Sequence, residues 1–274
     1  MKPPSPRAKI LRLPSPFSVM NYLQKPSRNF LRSALLAAGL ALLTTSLSAA
    51  DPEQALVAKW TFKNGSLTSV PGNIALSSSR PFTPKSQKGA ITLSDRQYLI
   101  ASALNSEKFP ALTSGVTIWA RIRMDALPTD YEINLLGLQD TPDTGDWSNM
   151  VFSLLYRPVG GDVTQAGFSF LSRTSNGTQL GVGSSRFQPA PVGEFIDVAL
   201  VFDPAFNAAS MWVDGVLVTS RHHDALALPR FGGLGIGQLK SPGSLMGVTT
   251  YDEIRVYSRA LSEKELKALK PTQD

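Results

Sequence analysis

The chain contains no cysteine. That excludes disulfides, Cys-ligated zinc, a thiol nucleophile and a lipid anchor on cysteine. It has only two histidines, the adjacent His222 and His223. Neighbouring side chains on an extended strand point to opposite faces, and there is no third imidazole, so a histidine zinc centre is excluded on ligand count. No Gly-x-Ser-x-Gly elbow accompanies His222-His223-Asp224, which leaves Ser-His-Asp catalysis without support. No Glu-x-Asp-x-x-Glu array is present either. No apolar run approaches the ~20 residues of a membrane span; the longest, Ser33 to Leu47, ends among Thr44, Thr45, Ser46 and Ser48.

Acidic residues are missing from the first 50 positions, which carry seven basic ones. From Asp51 onward 20 basic residues face 21 acidic ones, so the formal charge of +6 belongs to the leading segment. A near-neutral remainder offers little phosphate neutralisation, and no nucleic-acid partner is expected. Lys25, Arg28 and Arg32, the apolar run and then Ser48-Ala49-Ala50 form the basic, apolar and small-residue regions of a secretory signal peptide. Residues 1–50 are therefore expected to be a disordered extension plus that signal peptide. Cleavage is expected after Ala50, leaving a secreted or periplasmic protein with no membrane attachment. The 224 residues from Asp51 to Asp274 suffice for one well-buried domain.

Within that stretch apolar and polar residues alternate in the manner of half-buried strands. Leu56, Ala58, Trp60 and Phe62 share one face. So do Val116, Ile118, Ala120, Ile122 and Met124; Ile196, Val198, Leu200 and Phe202; and Ile254 and Val256. Weaker strands are expected near 91–100, 133–138, 150–156, 166–172, 179–186 and 233–237. Asp214-Gly215 inside Met211–Val218 predicts a tight hairpin. One helix is expected, at the C-terminus. Ser262 and Glu265 have capping-box spacing, Leu261 and Leu266 that of a hydrophobic staple, and Pro271 stops the run. About a dozen strands and a single short helix predict an all-β antiparallel two-sheet jelly-roll sandwich.

Several segments resemble one family in its own order. Gly193-Glu194-Phe195-Ile196-Asp197-Val198-Ala199-Leu200-Val201-Phe202-Asp203 is similar to the "G-E-W-H-H-V-A-L-V-F-D" strand of laminin-G-like jelly rolls. Met211 to Val218 is similar to the hairpin that follows it, and Tyr251 to Ser262 to the closing "I-D-E-V-R-I-Y-N-R-A-L-S" segment. The resemblance to the laminin-G-like/concanavalin A-like lectin and glucanase superfamily implies a jelly roll spanning 51–274. Its matching residues are apolar or turn residues, so they speak to fold and not to activity. Lys63 and Ser69 stand where the family often has acids, which argues against a calcium site there.

Paired carboxylates for glycoside hydrolysis must lie ~5–5.5 Å apart in retaining enzymes. Glu194 and Asp197, at i and i+3, are expected on opposite faces of their strand, and the adjacent Asp252 and Glu253 are expected to diverge. No enzyme is therefore expected. The loop Asp140-Thr141-Pro142-Asp143-Thr144-Gly145-Asp146-Trp147 gathers carboxylates. Asp140 and Asp143 are candidate ligands for calcium, the only cofactor considered. Trp147, in a polar loop beside Asp146, Ser148 and Asn149, is a candidate sugar platform; Tyr156, Tyr131 and Trp119 are further aromatic candidates. The predicted ligand site is Asp146, Trp147, Asn149 and Tyr156. The function expected is an exported, non-catalytic binding module for a glycan or cell-surface polysaccharide. A protein-interaction or structural domain is the alternative, and a glycan-active hydrolase the third reading.

Overall fold

A computed structural model describes residues 51–78, 86–87, 89–94, 97–127, 133–142, 147–159, 162–181, 191–222, 227–239 and 247–272. In chain order its strands are β1 (Leu56–Trp60), β2 (Ser77–Ser78), β3 (Ser86–Gln87), β4 (Ala90–Leu93), β5 (Leu99–Ala101), β6 (Val116–Ala126), β7 (Ile133–Gln139) and β8 (Met150–Val159). They continue with β9 (Asp162–Arg173), β10 (Gln179–Leu180), β11 (Phe195–Asp203), β12 (Ala208–Val213), β13 (Val216–His222), β14 (Gly233–Leu239) and β15 (Val248–Tyr257). The helix α1 spans Glu263–Ala268.

These strands form two antiparallel sheets, as the alternation predicts. The first runs β13-β12-β11-β6-β15-β4-β3, with β1 also on β15; the second runs β10-β9-β8-β7-β14-β5-β2. Sequence-distant strands lie side by side, β6 between β11 and β15, and β14 between β7 and β5, which is the crossing pattern of a jelly roll.

The inner faces pack into one apolar core. Ala58, Trp60 and Phe62 of the first alternating run are buried, as are Ile118, Ile122, Val198, Leu200, Ile254 and Val256. From the second sheet Leu136, Leu138, Phe152, Leu154, Phe168 and Phe170 meet them. Two polar atoms inside this core find backbone partners. Trp60 Nε1 donates to the Ile74 carbonyl at 3.0 Å, and the Tyr251 hydroxyl crosses between sheets to the Leu135 carbonyl at 2.7 Å. Burial pushes the Tyr251 phenol far above its ordinary range, so it stays a neutral donor.

The Asp214-Gly215 turn forms, with φ of 49° and 73° at its two central residues. This left-handed pair suits the right-handed twist of β12 and β13. The capping box also forms. Ser262 Oγ accepts from Glu265 N, and Glu265 Oε2 accepts from Ser262 N at 2.8 Å. Leu261, Leu266 and Leu269 pack with Trp119, Val201 and Tyr257 on the outer face of the first sheet. That cover explains why Thr117, Trp119, Ala199 and Val201, expected on the polar side of their strands, are buried.

Two expectations need correction. The apolar stretch 91–100 is not one strand; it divides between β4 in the first sheet and β5 in the second. Asp252 and Glu253 do not diverge. The register of β15 on β6 shifts between Tyr251 and Glu253. Tyr251 and Ile254 keep their places in the core, so this bulge turns both intervening carboxylates outward.

Candidate functional site

Each sheet has an outer face, and the first sheet spends its charges on itself. Arg121 on β6 meets Asp197 on β11 at 3.0 Å and Asp252 at the β15 bulge at 3.3 Å. The Phe195 ring lies 5.4 Å from the Arg121 guanidinium and 4.8 Å from that of Arg123. Arg123 pairs with Asp125 at 2.5 Å, and Asp125 accepts from Thr250, whose hydroxyl bonds Thr92 at 2.8 Å. Burial pushes the Asp197 carboxyl above its ordinary range, against the opposing pull of Arg121. Glu194 is exposed one residue before β11. The hollow beside Asp197, closed by Asp214, Lys267 and Lys270, holds about 170 Å³. That is small against the ~300–1,000 Å³ typical of ligand pockets.

A larger cleft of about 320 Å³ opens between residues 105–107, Asp140 and residues 230–232. Its floor is already satisfied. Asn105 donates to the Ser102 carbonyl and caps Glu107 N and Lys108 N, while Ser106 Oγ bonds both backbone groups of Phe231. Glu107, Asp140 and Arg230 remain around the mouth.

The outer face of the second sheet differs from both. Strand register identifies its residues. Asn134 lies opposite Leu155, Gly137 opposite Ser153, and Gln139 opposite Met150. Ser153 in turn lies opposite Leu171, Leu155 opposite Ser169, and Arg157 opposite Gly167. Met150, Leu155 and Leu171 form an apolar cluster distinct from the main core, which fixes this side as the outer one. Asn134, Gln139 and Ser153 are 0%, 1% and 0% exposed. Both amide atoms of Asn134, both of Gln139, the Ser153 hydroxyl and Arg157 Nη1 are buried with no hydrogen-bond partner. Buried polar atoms are almost always bonded, and each orphan costs on the order of 1–3 kcal/mol. The middle of this face is also flat. Gly137 and Gly235 stand in register across β7 and β14, and a Cβ on Gly137 would lie 2.2 Å from Ser153 Oγ. Only glycine there lets the serine lie across the strand.

The predicted loop joins this face at one end. Gln139 and Met150 are the last register pair before it, and Asp140 N donates to the Asn149 carbonyl at 2.7 Å to close its base. Trp147 starts the 3-10 turn Trp147–Asn149 that feeds β8. The side chain of Trp147, together with Asp143, Asp146, Tyr131 and His223, lies outside the described residues. Asp140 is exposed at the mouth of the end cleft, and Asn149 is half-buried. Among the described residues no group of three or more His, Asp or Glu side chains is placed to hold a metal. Ser69 is buried, and its hydroxyl donates to the Pro71 carbonyl and accepts from Ile74 N, which closes that turn on itself.

Tyr156 does not belong to a ligand surface. It is 1% exposed, packed edge-to-face on Phe168 at 5.8 Å inside the core, because its register pairs are core residues. Trp119 is likewise buried, under α1 and with the Arg255 guanidinium 4.8 Å from its ring. The residues overlooked in the sequence were Asn134, Gln139, Ser153 and Arg157. Their signal was present: amides and a hydroxyl interrupting runs of otherwise apolar β-sheet residues.

A model of the concanavalin A-like lectin/glucanases superfamily, of the laminin-G type, matches residues 94–267. No curated protein sequence matches the chain. Among solved structures, the receptor binding domain of botulinum neurotoxin C/D mosaic serotype is similar at a TM-score of 0.61 and 11% identity, over 78% of this chain and 50% of that one. The binding domain of botulinum neurotoxin DC is similar both in complex with rat synaptotagmin II and in complex with SialylT. The first gives a TM-score of 0.58 at 9% identity over 80% of this chain and 51% of that one. The second gives 0.57 at 9% identity with the same coverage. The chain spans about half the length of these structures, and at such identities the likeness is one of fold.

Proposed function

Taking as premise that the chain belongs to the concanavalin A-like lectin/glucanases superfamily, we propose that it is an exported, non-catalytic module that binds a glycan along the outer face of its second sheet. One observation carries this reading: the unpartnered amides and hydroxyl of Asn134, Gln139 and Ser153 on that single face. A sugar hydroxyl both donates and accepts, and so does a carboxamide, so a glycan supplies both kinds of partner that these residues lack. A similar binding domain is known in complex with SialylT.

A glycan array probed with the full chain and with Asn134→Leu tests this. Wild type should bind a subset of glycans that the variant loses. Binding that is equal for both moves the site elsewhere, and a blank array removes the glycan reading. Hydrolysis is a separate arm: reducing-sugar release from a bound glycan would make the module an enzyme. Export rests on the leader alone, and an intact mass beginning at Asp51 is the expected outcome from the native host.

A protein-binding reading has its own support. Val216 and Leu217 are 62% and 48% exposed on β13, the edge strand of the first sheet. A similar domain is known in complex with rat synaptotagmin II. Exposed apolar side chains on an edge strand suit strand addition by a partner.

A further inference from the structure

The ends of the two sheets are not alike. β3, β10 and β2 finish three of them with two residues each, which leaves little backbone for another strand to pair with. β1, which shares one side of β15 with β4, is backed by the turn that follows it, where Val70 N donates to the Lys59 carbonyl at 2.9 Å. The remaining end is β13, seven residues long. Among the described residues its one strand neighbour is β12. It holds no lysine and no proline, the residues that commonly blunt an edge. A register shift interrupts its ladder between Met211 and Trp212, and Thr219 to His222 stay in regular register.

Exposed apolar surface gathers at this same edge. Five large apolar side chains are exposed among the described residues, and three of them flank β13. Val216 and Leu217 stand at its start. Phe206, 78% exposed, stands near its other end, on the turn that enters β12 where Ala208 lies opposite His222. That turn is held in shape, since Asp203 Oδ1 accepts from Ala205 N at 3.0 Å and from Phe206 N at 3.3 Å.

Resting on the strand-addition reading of this edge, we propose that the partner of β13 is a second copy of the chain, the two β13 strands lying antiparallel about a two-fold axis. An antiparallel pair of identical strands is self-complementary, because each free N–H of one copy meets a free C=O of the other whatever the side chains. The two-fold sets the head of one strand against the tail of the other. Val216 and Leu217 of each copy then come to the end where Phe206 of the other is exposed. Arg221 meets that apolar head, whereas a parallel pair would place it against its own counterpart. From Asp51 onward the chain carries 20 basic and 21 acidic residues, so net charge does not hold two copies apart. Pairing would cover all three exposed apolar residues of each copy and join the two first sheets into one.

Sedimentation velocity of the purified chain over a wide range of concentration tests the assignment. Wild type should pass from monomer to dimer as concentration rises. Val216→Lys and Leu217→Lys, which put a lysine on the edge, should each raise the dimer Kd by about tenfold or more. Phe206→Ser should raise it less. Thermal midpoints of the dilute monomers should match wild type, since all three side chains are exposed. Hydrogen exchange reads the backbone directly: amides of β13 should gain protection as the dimer forms. A dimer that both lysine variants leave intact, or one in which β13 exchanges as fast as in the monomer, would overturn the pairing. A chain that stays monomeric throughout would overturn it too, and a labelled synthetic peptide of the sequence Val216–His222 then judges the edge by itself. A monomer that captures the peptide accepts an added strand but not a second copy. A monomer that leaves it free loses the strand-addition reading as well.

Discussion

On the outer face of the first sheet Glu253 and Arg255 are 2% and 5% exposed, and both are bonded. They pair with each other. Arg255 Nη2 also donates to the Lys270 carbonyl at 2.6 Å, and Glu253 Oε2 accepts from Thr272 N at 2.7 Å. On the outer face of the second sheet Asn134 and Gln139 are as deeply buried, and neither has a partner. A fold gains nothing by burying amides unbonded, whereas a satisfied ion pair can tie a segment in place. The first face therefore reads as structural. Its charges strap the chain after α1 across β15. The second buries polar atoms that have no hydrogen-bond partner.

The largest test of this contrast is to break the ion pair. Glu253→Ala leaves Arg255 buried beside Trp119 with no counter-charge and should cost about 3–5 kcal/mol in urea unfolding. The pair replacement Glu253→Leu with Arg255→Met should recover much of that loss, because well-packed apolar substitutes for a buried pair are often neutral. Next in size is Leu266→Ala on α1, 4% exposed in the cluster with Trp119 and Tyr257. It should cost about 2–5 kcal/mol. If both variants melt like wild type, the first face is not the structural one.

Much of this fold was legible in the sequence, and the reason is local. Alternation of period two in residues 56–62, 116–124 and 196–202 reports burial on one face, and those residues are buried save Leu56, which a register shift before Ala58 leaves half-buried against the outer cluster of Trp119. Asp214-Gly215 and Ser262–Glu265 encode their turn and cap within four residues of chain. Features decided by tertiary neighbours were not legible. Nothing in Asp252-Glu253 announces a bulge, since the extra residue follows from keeping Tyr251 and Ile254 in the core opposite β6. Tyr156 reads like Trp147 by composition, yet its strand places it beside Phe168 in the interior. The face of Asn134, Gln139 and Ser153 escaped notice because the pairing of β7 with β8, and not either strand alone, brings the three together. Each contributes only one or two polar residues to a mostly apolar run.

A smaller effect is expected at the cap of α1. Ser262→Ala removes the acceptor for Glu265 N and should cost about 1 kcal/mol. Glu265 adds a pH signature. Its bonds to Arg259, and then to Ser262, lower its carboxyl from 4.5 to about 2 against the cost of burial. A carboxylate whose folded value is depressed stabilises the fold above its unfolded value. That contribution is lost as pH falls from about 4.5 toward 2. Stability measured across this window should drop in wild type and drop less in Glu265→Gln. Parallel profiles would show that the carboxylate does not anchor the helix.

The smallest change in stability, and the sharpest contrast with Glu253, is expected for Asn134→Leu. The side chains are close in volume, so the substitution tests polarity and not packing. Asn134 is 0% exposed, and neither its oxygen nor its amide nitrogen has a partner. Removing a bonded buried polar group orphans its partner and costs stability, but here no partner exists to be orphaned. The unfolded chain meanwhile loses an amide that water solvates well, so burial of position 134 becomes cheaper. Beside Leu155 the new side chain adds to the apolar cluster of the outer face. The expected outcome in urea unfolding is a midpoint unchanged or raised, with a gain of no more than about 1 kcal/mol. A loss of 2 kcal/mol or more, of the size set by a bonded buried group, would mean that Asn134 holds the sheet together. At this position the two outer faces would then be structural alike.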